Sequence, residues 1–229
     1  MHDRANLGIS RNKFVCRTLL VGEASEFYPL KPLSPLATRA INGVIRLWDR
    51  SLRNALREAT SETHARLDET VGRLPLSSDD DYASFLTAQY LARRVVDAAL
   101  DAQSPHGITP PPSQTELLQL DLNDLGAVSS KQEHALTLST PFEALGAAWV
   151  IAGSSLGNRT VLKQRQKKGL SGPQRFLEDD RLTSYFSNLR TVLSESYHPA
   201  EVDEAVLGAR KTFEVFERAF SIGQLGVAE

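Results

Sequence analysis

The chain has 229 residues, 41% of them hydrophobic and 24% charged, with a formal net charge of −2. That length supports one sizeable core with an extension, and the near balance of charge gives no footing for a nucleic-acid polyanion or an acidic membrane surface. Cys16 is the only cysteine, which excludes an intramolecular disulfide and a multi-cysteine zinc site and fits a reducing compartment.

No apolar run reaches the roughly 20 residues of a membrane span. "FVCRTLLV" (14–21) carries Arg17 in its middle and no small-residue cleavage pattern follows it, so no secretory signal is read and the expected location is cytoplasmic. Residues 1–48 hold Gly8, Gly22, Pro29, Pro32, Pro35 and Gly43 and sustain no helical period; they read as a poorly ordered or loosely packed extension.

From Trp48 the pattern is helical. Leu52, Ala55, Leu56, Ala59, Leu67, Val71 and Leu74 fall three or four apart, with Asp49 or Ser51 placed to cap. A second helix opens at Ser78 or Asp79, where acidic residues suit the first turn, and runs through Phe85, Tyr90, Val95 and Leu100. "SPHGITPPPSQ" (104–114) is a loop, because three consecutive prolines cannot sit in a helix interior. A short helix follows around 115–127. A long one starts near Pro141, a favoured first-position residue, and runs to about Lys168, where "GLSGPQ" (169–174) breaks it. Two more helices span 178–195 and 199–220, the last with Val202, Ala205, Val206, Ala209, Phe213, Phe216 and Phe220 along one side. No alternating β-branched run stands out. The class is all-α: a single helical domain over 49–222, with 223–229 a C-terminal tail.

His64 lies about 60° from Leu67 and about 20° from Val71 around the first helix, at the border of its apolar stripe. Arg57 is in line with it, roughly 10 Å back along the axis. A flat anionic macrocycle on this face could take an axial imidazole at its centre and a guanidinium at its carboxylate edge. A packed or half-exposed histidine gives the same spacing. His2, His106, His134 and His198 share no apolar face with a partner at metal-ligand spacing, so a two-histidine metal site is unsupported.

The long helix interrupts itself with Gly153, Ser154, Ser155, Gly157 and Asn158. Each interior glycine is unfavourable by about 1 kcal/mol relative to alanine. Gly153 and Gly157 share a face. They admit either a neighbouring helix at close approach or a flat ligand lying broadside, with Ser154, Ser155 or Asn158 positioning water. A phosphate loop is excluded, since neither the preceding strand nor the lysine is present.

Together the two helices resemble the haem oxygenase family, in its bacterial biliverdin-producing branch. "LREATSETHARLDE" (56–69) is similar to the family's proximal-helix signature, and "GSSLGNRTVL" (153–162) to its distal helix. "DYASFL" (81–86), "LLQLDLNDLG" (117–126) and "FEVFERAF" (213–220) add to the likeness, which covers about residues 50–222 in the expected helix order. The resemblance implies the haem-oxygenase bundle and an enzyme that opens haem b to biliverdin, CO and Fe2+. Such an enzyme uses O2 and electrons from an external reductase or ferredoxin, with a phytochrome as a conceivable biliverdin acceptor. It makes His64 the axial iron ligand and Arg57 a propionate partner. It places Gly153, Ser154, Gly157 and Asn158 over the distal face, where bare backbone and ordered water direct attack on the ring.

Three departures stand out. Asn158 follows the later glycine where the family often has a small residue. Ser154 stands where some members have an acid. Arg190 is the only cation in "YFSNLRTVL" (185–193), the segment that supplies a second propionate partner elsewhere in the family. A haem- or tetrapyrrole-binding carrier or sensor without turnover is the alternative on the same fold.

Overall fold

The computed structural model describes residues 51–74, 76, 78–127 and 135–225. The predicted extension over 1–48, Cys16, His2 and His134 lie outside these. Seven helices and no strand occur among the described residues: α1 (Leu52–Gly72), α2 (Asp79–Ala102), α3 (Thr115–Asp124), α4 (Pro141–Lys167), α5 (Arg175–Glu178), α6 (Arg181–Val192) and α7 (Pro199–Leu225).

The helix starts follow local chemistry. Ser78 Oγ accepts the Asp81 N–H at 3.1 Å, with three aspartates in the first turn of α2 favoured by the helix dipole. Thr140 Oγ1 accepts the Glu143 N–H at 3.1 Å and Pro141 occupies the first turn of α4. Glu143 in turn accepts the Ser139 N–H at 3.0 Å and pairs with Lys211 of α7 at 2.7 Å, so the cap also ties two helices together.

The predicted helix over 178–195 is α6, Arg181–Val192, and the short α5, Arg175–Glu178, precedes it unpredicted. Asp179 has extended backbone, with ψ 119°. Its carboxylate accepts from the Arg181 N–H at 3.2 Å and from Gln114 Nε2 at 2.8 Å, which stabilises the break. The buried Asp121 carboxylate accepts the Phe176 N–H at 3.0 Å and the Arg175 N–H at 3.3 Å, capping α5 from a distant helix. The last helix runs to Leu225 rather than 220.

α7 is the central element, packed on α4, α2 and α1. Its Ala205, Ala209, Phe213, Phe216 and Phe220 are buried. The tightest contact is between α4 and α7. A Cβ added at Gly146 would lie 2.8 Å from the Ala205 carbonyl carbon, and one at Gly208 would lie 2.6 Å from Glu143 Cα. Both glycines are bare because two backbones meet there. α1 and α4 make no such extensive contact with each other. They flank α7 and leave a cleft between them.

Candidate functional site

The cleft is a cavity of about 380 Å³, within the range of small-molecule sites. Its lining is divided by chemistry. Every ionisable group on it, namely Arg53, Arg57, His64 and Asp68, comes from α1. α7 supplies Phe213, Phe216 and Phe220, α2 Phe85 and Gln89, and α6 Phe186. The opposite wall is α4, through Trp149, Gly153, Ser154, Gly157 and Asn158.

His64 lies near the α7 aromatic wall, edge-on to Phe213 with centroids 5.7 Å apart. Its Nδ1 is 3.1 Å from Asp68 Oδ2, one turn on along α1. The pair brings a carboxylate beside Nδ1, the kind of neighbour that orients histidines in metal sites.

The glycines across the cavity bear on the packing reading of their spacing. A Cβ added to Gly153 or Gly157 would meet nothing within 4 Å. Neither glycine is there for helix packing, and both leave bare backbone over the cavity.

Of the predicted site residues, His64, Arg57, Gly153, Ser154, Gly157 and Asn158 line this one cavity. Asn158 is buried, at 5% exposure. Two expectations are corrected. Arg190 is exposed in the last turn of α6 and does not line the cavity; α6 turns Phe186 towards it instead. Ser155 faces the interior of the bundle, its Oγ donating to the Ala152 carbonyl at 2.8 Å, so it positions nothing in the cavity.

Three residues join the site that the sequence reading passed over. Arg53 sits one turn before Arg57 on the same face of α1, and neither guanidinium has an ion pair with another described residue. Gln89 lines the cavity from α2. Behind the lining lies Arg93, 1% exposed, whose Nη2 donates to Ser154 Oγ at 2.6 Å. Burial pulls its pKa down to about 10, so it stays protonated at neutral pH. No group of metal-ligating side chains that could by itself hold an ion occurs among the described residues, and none of their helices is long and apolar enough to cross a membrane.

No protein-family model matches the sequence, and no curated protein aligns with it significantly. By structure, the chain is similar to the NO- and CO-bound haem oxygenase from Neisseria meningitidis. The TM-score is 0.60 at 23% identity, covering 76% of this chain and 92% of that one. The chain has the haem oxygenase fold. In that fold's terms, the cleft between α1 and α4 is where this chain gathers a histidine, two arginines and two bare glycines.

Proposed function

We propose that the protein is a haem oxygenase. The observation that carries this reading is that His64 and the unobstructed backbone of Gly153 and Gly157 share one cavity. Such a wall pair suits a flat ligand with a coordinating centre. Bound haem would supply both the ring to be opened and the iron that activates O2, giving biliverdin, CO and Fe2+ with electrons from an external reductase or ferredoxin.

The chain's own residues divide the work. His64 would coordinate the iron, with the Asp68 carboxylate beside Nδ1 placed to orient its ring. Arg57, with Arg53 beside it, would hold propionate carboxylates from α1, where paired N–H donors match a carboxylate's geometry. The phenylalanines of α7 and Phe186 would exclude water from a bound macrocycle. Gly153 and Gly157 would leave room for a diatomic beside the ligand, and Asn158 would add an amide to that wall.

The test has two stages. Mixed with hemin, the purified protein is expected to give a sharp Soret band that His64→Ala abolishes or broadens. A spectrum equal to that of free hemin would overturn the reading. Adding ascorbate or a reductase system in air should then bleach the Soret band as biliverdin absorbance rises. A haem complex that persists without pigment identifies a carrier or sensor instead.

A further inference from the structure

The cavity wall formed by α4 carries one hydroxyl, that of Ser154, and its hydrogen bonds are already assigned by chemistry. A carbonyl can only accept, so at 2.7 Å from the Ile151 oxygen the Ser154 hydroxyl must be the donor. A guanidinium can only donate, so at 2.6 Å from Arg93 Nη2 the same oxygen must be the acceptor. A hydroxyl has one proton and two lone pairs. What is left for the cavity is a single lone pair.

Arg93 acts on a second lining group. Its Nε lies 3.4 Å from Gln89 Oε1, a long contact that turns the carboxamide oxygen towards the guanidinium and leaves the NH2 for the cavity. Arg93 itself is held in place: it is fully enclosed, lies over the Phe176 ring at 5.1 Å, and forms no ion pair with a described carboxylate. A protonated side chain buried in this way is unfavourable unless its donors are used. Here they are used on Ser154 of α4 and Gln89 of α2, two of the polar groups that line the cavity.

We propose that Arg93 is a positioning residue that fixes the hydrogen-bond polarity of the cavity wall, so that Ser154 offers a bound ligand only a lone pair and Gln89 offers only its amide N–H. A water seated at Ser154 therefore points an O–H at the serine. A diatomic that needs a donor receives it from an amide such as Gln89 or Asn158 or from that water, never from Ser154. This inference rests on the haem oxygenase reading for its ligand, but the bond directions belong to the chain alone.

The probe is carbon monoxide bound to the hemin-loaded, reduced protein, read as the infrared C–O stretch, which falls when positive charge or a donor approaches the oxygen end. Ser154→Ala leaves the Arg93 N–H without its acceptor beside the cavity, so the stretch is expected to shift down. If Ser154 were itself a donor to the ligand, the same variant would shift it up. An upward shift or no shift in Ser154→Ala overturns the proposal. Arg93→Gln is expected to shift the stretch up by removing the charge, and Arg93→Lys to lie closer to the wild type. Equal shifts in Gln and Lys variants would also overturn it. Should Arg93→Gln lose its helical circular dichroism, the sign in Ser154→Ala decides alone. A wild type with no Soret band at all would overturn the functional reading instead.

Discussion

Two pairs of bare positions lie along α4 and its neighbour, and they are bare for opposite reasons. At Gly146, facing Gly208 of α7, a side chain has nowhere to go: the Ala205 and Glu143 backbones fill the space a Cβ would take. Two turns further along, at Gly153 and Gly157, a side chain would meet nothing within 4 Å. The first pair closes the bundle and the second opens it. A glycine reports only that something comes near or must be allowed to, and the residue across from it decides which.

Alanine substitutions should separate the two pairs by sign. Gly146→Ala or Gly208→Ala is expected to destabilise the fold by about 3 kcal/mol, because overlap with backbone cannot be relieved by a side-chain rotation. Gly153→Ala is expected to raise stability by up to about 1 kcal/mol, since helix propensity acts there unopposed, while weakening hemin binding. Denaturant unfolding of the haem-free proteins measures both. A destabilising Gly153→Ala would mean that its face is packed and would merge the two pairs into one class.

A smaller contrast runs across the cavity, between the charged α1 wall and the apolar α6. Arg57→Ala is expected to weaken hemin binding several-fold, about what a half-exposed carboxylate contact contributes, and Arg53→Ala by a similar factor. Arg190→Ala is expected to leave hemin affinity unchanged, as that side chain lies outside the lining. Fluorescence quenching titrations with hemin resolve changes of this size. A large loss in the Arg190 variant would place a propionate on α6 after all.

What the sequence made legible was local. The caps at Ser78 and Thr140, the proline loop and the 3.6-residue stripes are written within a few residues of where they act, so the helix order could be read directly. The short α5 and its end at Asp179 depend on Asp121 and Gln114, which are far away in the chain. The site was half legible. His64 and the glycines stand out by spacing, but whether Gly153 and Gly157 face a helix or a void is a tertiary fact. Arg93 and Arg94 are adjacent cations and look like a solvated pair, yet one is fully buried and the other exposed. The signal was available in phase: Arg93 falls in line with Phe85, Leu86, Gln89, Val96 and Leu100, on the buried stripe of α2. Arg53 could have been found the same way, one turn before Arg57. Gly146 and Gly208 could not, because only the folded chain brings them together.

The central claim is that a planar, iron-bearing ligand occupies the space between His64 and the α4 glycines. Hemin titration of Gly157→Leu tests it most directly, since the added side chain has room to enter the cavity without disturbing the core. The account predicts a protein with wild-type helicity and an unfolding midpoint at or above that of the wild type, whose Soret band is lost or strongly weakened. A Gly157→Leu variant that binds hemin with the wild-type spectrum and affinity would contradict it.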